Sequence, residues 1–216
     1  MNIIIDRYNK IKSNIKKVVN ENNVQIVAVS KTFSFNHIKP LIDHGHEHFG
    51  ENKVQEAQVK WAECIRHNKN IKLHLIGRLQ SNKVKIAVKI FDYIHSLDSK
   101  KLADACSSEE KKNNKKIKYF IQVNIGKESQ KSGIRPDEID QFYTYCKQEA
   151  KLDIVGLMAI PPNNDLPDKY FKFLNDHNKS LNLPELSMGM SADYLKAVEH
   201  NSTFLRIGSD IFGNRT

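Results

Sequence analysis

The chain has 216 residues, 39% hydrophobic and 27% charged, enough for one sizeable core and short for an eight-fold βα barrel. Its net charge of +9 comes from lysines spread along the whole length, and the densest run, Glu109 to Lys116, mixes both signs. That pattern reads as a solvated helix end rather than a phosphate-tracking stripe, so no nucleic-acid partner is expected. No apolar run approaches the roughly 20 residues of a membrane span, and the start lacks the apolar centre and small-residue cleavage site of a secretory leader. Cys64, Cys106 and Cys146 are far apart and form no C-x-x-C pair, so neither a metal site nor a redox motif is indicated. Reduced thiols and a cytoplasmic location are the expectation.

The elements alternate. A helix-like stretch from Arg7 to Asn20 opens the chain. Gln25 to Ser30 follows, a short β-branched run suited to a buried parallel strand. His37 to His44 carries Ile38, Leu41 and Ile42 at helical spacing, with Gly45 as its stop. Further strands are predicted at His48–Gly50, Leu73–Ile76, Tyr93–Leu97, Tyr119–Val123, Ile154–Met158, Glu185–Met188 and Phe204–Ile207. Helical stretches lie between them, such as Val54 to Ile65, Pro136 to Gln148 and Asp168 to Leu181. Strand–helix alternation implies parallel pairing, because a parallel neighbour needs a crossover long enough to hold a helix. Eight units suit a single-domain (β/α)8 TIM barrel with an extra N-terminal helix, spanning residues 1–216. A doubly wound open sheet is the alternative that alternation alone leaves standing. No linker-like stretch divides the chain.

In such folds functional groups gather where strands end. Lys31 follows the apolar run Ile26 to Val29, so its stem starts inside the barrel mouth. A desolvated lysine there is a neutral amine able to condense with an aldehyde, although a lysine at a strand end can also snorkel to solvent. After the seventh strand, Gly189 permits a tight turn and Ser191 is placed to cap a helix from Ala192 to His200. Gly208 and Ser209 follow the eighth strand, and barrels often hold phosphate with these two loops; an ordinary cap and turn would look the same. Arg206 interrupts the apolar strand Phe204–Ile207. Facing a pyridine nitrogen it would keep that nitrogen unprotonated, while pairing with a carboxylate across the barrel would also satisfy it.

The ordered set Val29-Ser30-Lys31, Phe49 to Asn52 with Gln55-Glu56, and His74 to Gly77 with Leu79-Gln80 and Asn82-Lys83 resembles a known family. It continues through Val123-Asn124, Lys131 to Gly133, Gly156 to Pro161, Leu186 to Ser191, Arg206 to Gly208 and Ile211 to Gly213. The chain resembles, nearly end to end, the pyridoxal phosphate homeostasis proteins, whose barrel is similar to the N-terminal domain of alanine racemase. The resemblance implies a pyridoxal 5′-phosphate (PLP) Schiff base on Lys31, phosphate contacts from Ser191, Gly208 and Ser209, Arg206 at the ring nitrogen, and Asn52 beside the ring. It also implies a pocket near His74, Met158 and Met190, with core packing an equal reading for His74 and Met158. Lys131 matches a second family lysine whose role as a further PLP attachment point is weak here. Three departures stand out: Lys53 where the family has tyrosine, Asn201 where it has glycine, and an end at Arg215-Thr216 without the usual tail.

The expected function is intracellular vitamin B6 homeostasis: binding, buffering or delivering PLP, with PLP-dependent apoenzymes as recipients and a monomeric protein. A PLP-dependent amino-acid racemase is the alternative. It needs a second acid/base on the opposite ring face, which racemases take from an additional C-terminal domain and a partner subunit. Only three residues follow Gly213.

Overall fold

Ile4, Tyr8, Ile11 and Ile15 recur every three to four residues and form one buried stripe of helix α1 (Ile3–Val18) in the computed structural model. The helix starts a turn earlier than its apolar pattern indicates. The Asn2 side chain accepts from the Ile4 N–H at 2.9 Å and supplies the cap. The structure describes residues 2–19, 23–67, 70–128, 130–162 and 167–214, so the expected helix end at Asn20 and the chain end at Arg215-Thr216 lie outside the described residues.

Eight strands follow: β1 (Gln25–Val29), β2 (His48–Glu51), β3 (Lys72–Leu75), β4 (Tyr93–Leu97), β5 (Lys118–Val123), β6 (Asp153–Ala159), β7 (Glu185–Ser187) and β8 (Phe204–Ile207). The helices after β1 to β6 are α2 (Phe35–Asp43), α3 (Val54–His67), α4 (Val84–Ile90), α5 (Lys100–Asn113), α6 (Ile139–Gln148) and α7 (Pro167–Ser180). After β7 comes α8 (Tyr194–Glu199), and after β8 comes α9 (Ser209–Phe212). All strand pairs are parallel, and β1 closes on β8 through the register Gln25↔Phe204 to Ala28↔Ile207. Closure excludes the open doubly wound sheet. The fold is a single-domain (β/α)8 barrel with α1 as the added helix, packed against α2, α8 and α9.

Side chains alternate across each strand, so every second residue faces the barrel interior. Ile26 and Ala28 of β1 join the main core beneath the helices. Val27 instead packs inside the barrel with Phe120, Val155, Met158 and Phe204. Histidines share this interior: His74 stacks on Tyr93 at 4.3 Å between centroids, and His95 stacks on Phe120 at 4.3 Å. The interior is therefore a packed core. Burying each of these large side chains contributes on the order of 2 kcal/mol.

Cys106 and Cys146 are buried free thiols, and burial pushes both up to about 12; Cys64 is free and half-buried. Among the described residues no helix is long and apolar enough to cross a membrane, and no cluster of three or more His, Cys, Asp or Glu could hold a metal ion.

Candidate functional site

Counting in twos from the packed interior leads to the mouth. Val27, Val29 and Lys31 share the inward face of β1 and its exit. Gly50 and Asn52 do so for β2, Gln122 and Asn124 for β5, and Arg206 and Gly208 for β8. These positions converge on a cavity of about 750 Å³ at the C-terminal ends of the strands. Lys31, Asn52, Met190, Ser191, Arg206, Gly208 and Ser209, from four separate strand exits, all line it.

Arg206 is 4% exposed, and burial lowers its guanidinium to about 10. Its Nη1 donates to Ser187 Oγ at 2.6 Å and its Nη2 to the Ala159 carbonyl at 2.9 Å. Two of its five N–H groups are thus taken by a hydroxyl and a carbonyl, and among the described residues no carboxylate pairs with it, the partner left open from sequence. Ser209 Oγ donates to Ser191 Oγ at 3.1 Å, which joins the β7 and β8 exits into one polar corner. A Cβ on Gly208 would stand 3.3 Å from both Cβ and O of Val29, so the chain passes close to β1 here.

The Ser191 expectation needs a correction. It is not a helix cap: α8 starts at Tyr194 with Asp193 in the cap position, and Ser191 sits in the preceding turn. Asp193 Oδ1 accepts from the Met190 N–H at 2.6 Å, and this bond shapes the turn in place of a Ser191 cap. Gly189 adopts φ +90, as the tight turn requires. His74 and Met158 need a second correction. Both are 0% exposed, lie in the barrel interior, and do not line the cavity. His74 is the third residue of β3, and the mouth-facing residue of its face is Ile76.

The Lys31 segment is held from outside the barrel. Glu51 Oε1 accepts from Ser30 Oγ at 2.7 Å, Lys60 Nζ at 2.9 Å and Trp61 Nε1 at 3.0 Å. Lys60 Nζ also donates to the Ser30 carbonyl at 2.8 Å. The next residue, Thr32, has φ +70, an unusual conformation for a β-branched residue, and its N–H donates to Glu56 Oε1 at 2.6 Å. Across the mouth, Lys131 lines the cavity, pairs with Glu128 and donates to the Pro161 carbonyl at 3.3 Å.

Sequence reasoning missed Phe33 and Gln122 in the lining, and Ser187 as the partner of Arg206. Gln122 was detectable in principle: it is a polar residue on the inward face of the apolar run Tyr119–Val123. Phe33 had no signal, because it reaches the cavity from an irregular turn.

Residues 7–216 match the family described as "Alanine racemase, N-terminal domain", which defines the class: a barrel of the alanine racemase type. Among individual proteins, the chain is 37% identical over 204 residues to a pyridoxal phosphate homeostasis protein of Aquifex aeolicus, covering 90% of this chain and 89% of that one. It is 34% identical over 205 residues to the protein of that name from Escherichia coli, covering 89% and 86%. The structure superposes on PipY of Synechococcus elongatus with PLP bound, with TM-score 0.84 and 34% identity over 97% of this chain and 100% of that one. An alanine racemase of Clostridium difficile, 15% identical with TM-score 0.74, shares the fold. The chain belongs to the pyridoxal phosphate homeostasis protein family.

Proposed function

We propose that this protein binds PLP at the barrel mouth through Lys31 and serves PLP homeostasis as a carrier rather than as an enzyme. One observation carries the reading: an amine, a polar corner and a buried guanidinium from separate strands line one cavity. Its volume of about 750 Å³ lies within the usual range for small-molecule sites, roughly 300–1,000 Å³. These groups match the three reactive parts of PLP. Lys31 would condense with the aldehyde; the Ser191 and Ser209 hydroxyls and the close-lying Gly208 backbone would take the phosphate; Arg206 would donate to the ring nitrogen, and Asn52 would flank the ring. Bound PLP supplies an electrophilic carbon and an aromatic ring able to accept electrons.

The chain's residues favour holding over turnover. A guanidinium keeps its proton, so Arg206 leaves the ring nitrogen unprotonated and the ring a weak electron acceptor. Among the described lining residues the only titratable side chains are Lys31, Arg78, Lys131 and Arg206. Lys131, the one candidate for a second acid/base, is engaged by Glu128 and the Pro161 carbonyl. A cytoplasmic monomer of one domain over residues 1–216, with PLP-dependent apoenzymes as recipients, belongs to the same reading.

The test is borohydride reduction of the PLP-loaded protein followed by mass mapping. The label is expected on Lys31, with the visible absorption lost in Lys31→Ala. A wild type that stays colourless with added PLP overturns the binding reading. Racemisation or transamination at about 1 s⁻¹ or faster overturns the carrier reading.

A further inference from the structure

A file of hydrogen-bonding side chains crosses the barrel core beneath the cavity. His48 Nδ1 and His74 Nε2 are 2.9 Å apart, and His74 Nδ1 and His95 Nε2 are 2.9 Å apart. His95 Nδ1 lies 2.8 Å from Ser187 Oγ, which accepts from Arg206 Nη1 at 2.6 Å. The file thus runs through β2, β3, β4, β7 and β8. Its lower end, His48, lines a second cavity at the N-terminal face with Tyr8, Lys12, Lys16 and His46. Its upper end, Arg206, lines the mouth.

The direction of this file follows from counting protons. Arg206 can only donate, so Ser187 Oγ must accept from it. The Ser187 hydroxyl hydrogen then finds its acceptor at His95 Nδ1. His95 carries its hydrogen on Nε2 and donates to His74 Nδ1. His74 likewise donates from Nε2 to His48 Nδ1, which leaves the His48 Nε2–H as the outer end. Every internal donor and acceptor is used once. In the reverse direction His95 Nδ1–H would also donate to Ser187, leaving a buried hydroxyl hydrogen without an acceptor. Burial lowers His74 and His95 well below the ordinary imidazole value, with Arg206 the next cause for His95, so both rings are neutral as this scheme requires.

We propose that the file is a polarised relay tying His48 on the N-terminal face to Arg206 at the mouth, with His95 and Ser187 as positioning residues for the guanidinium. Its geometry stands alone; its meaning for cofactor binding rests on the PLP reading. Adding a proton at His48 requires Nδ1 to become a donor. That turns each tautomer above it and removes the acceptor of the Ser187 hydroxyl, so the charge state of the lower face is felt at Arg206. The groups facing His48 are Glu47, Lys72, Asp92 and Lys118, with His46 close by and the Tyr93 ring at 6.2 Å.

Long-range proton–nitrogen correlation of the imidazoles in the ligand-free protein tests the direction. His74 and His95 are expected as neutral Nε2–H tautomers above about pH 6.5, where His48, lowered by burial, is uncharged. An imidazolium at either ring, or an Nδ1–H tautomer at His95 while His48 is uncharged, overturns the proposal. The Arg206 guanidinium resonances test the coupling. They are expected to shift in His48→Gln, at the far end, and in Ser187→Ala, which deletes one oxygen and keeps the fold if His48→Gln does not. Resonances unchanged in either folded variant overturn it. Loading with PLP adds a third arm: the pH midpoint of the visible absorption is expected to move in His48→Gln, and an unmoved midpoint counts against the relay. A colourless wild type defeats the PLP reading alone, because the first two arms need no cofactor.

Discussion

Glu51 illustrates how single residues fix the site. It is fully buried, and one of its oxygens collects a hydroxyl, an ammonium and an indole N–H just behind Lys31. An ion pair this deep adds little net stability over an apolar pair, but removing one partner strands the other charge. Glu51→Ala should therefore destabilise the protein by about 3 kcal/mol, the low end of the usual range, because Lys60 keeps the Ser30 carbonyl and Glu56. Equilibrium urea unfolding measures it; a loss within a few tenths of a kcal/mol would show that the pair is not holding the Lys31 segment. Lys31 and Arg206 were legible in the sequence because each places a cation in or beside an apolar strand. Asn201, which stands where the family has glycine, takes φ +63 at the end of α8, the left-handed conformation asparagine tolerates. The His48–His74–His95 file was not legible. Each histidine does sit in a strand, yet nothing in the chain tells that three of them meet across the barrel.

At the scale of elements, the strands were readable to within a residue or two because short β-branched and aromatic runs suit a strand buried on both faces. Glu51 and Asp153 were missed as strand ends because acidic residues weigh against a strand by composition, whereas pairing with β3 and β5 decides the matter. The cap of α8 was misassigned for a related reason: Ser191 has the chemistry of a cap, but the turn shaped by Asp193 delays the helix. Loops also hold one another. A Cβ on Gly77 would stand 2.3 Å from the Asn52 carbonyl oxygen, so the exits of β2 and β3 pack backbone to backbone. Because the obstacle is main chain and cannot rotate aside, Gly77→Ala should push Asn52 away from the cavity. The expected outcome is weaker PLP uptake, by roughly tenfold if about 1.4 kcal/mol of orientation is lost, with the far-UV circular dichroism retained. Uptake equal to wild type would mean that the two exits yield at no cost.

The whole molecule has a weakness toward acid, and its sign follows from the histidines. His46 is buried beneath α1; its Nε2 lies 2.8 Å from the His48 carbonyl and its Nδ1 3.1 Å from the Tyr8 hydroxyl. The carbonyl can only accept, so Nε2 carries the hydrogen and Nδ1 accepts from Tyr8. Burial lowers this ring from 6.5 to about 4, with the backbone acceptor opposing. His48, His74 and His95 are lowered too, burial being the first cause in each. The folded state thus binds fewer protons than the unfolded chain once the pH falls below the unfolded value. Stability from these rings is complete above about 6.5 and drains away as the pH drops toward their folded values. For His46 alone the loss amounts to about 3 kcal/mol by the time the pH reaches its folded value. Urea midpoints should fall steadily from pH 6.5 toward 4, and His46→Gln, which cannot charge, should lower stability at neutral pH but flatten that slope. A variant whose slope matched wild type would place the acid sensitivity in other groups.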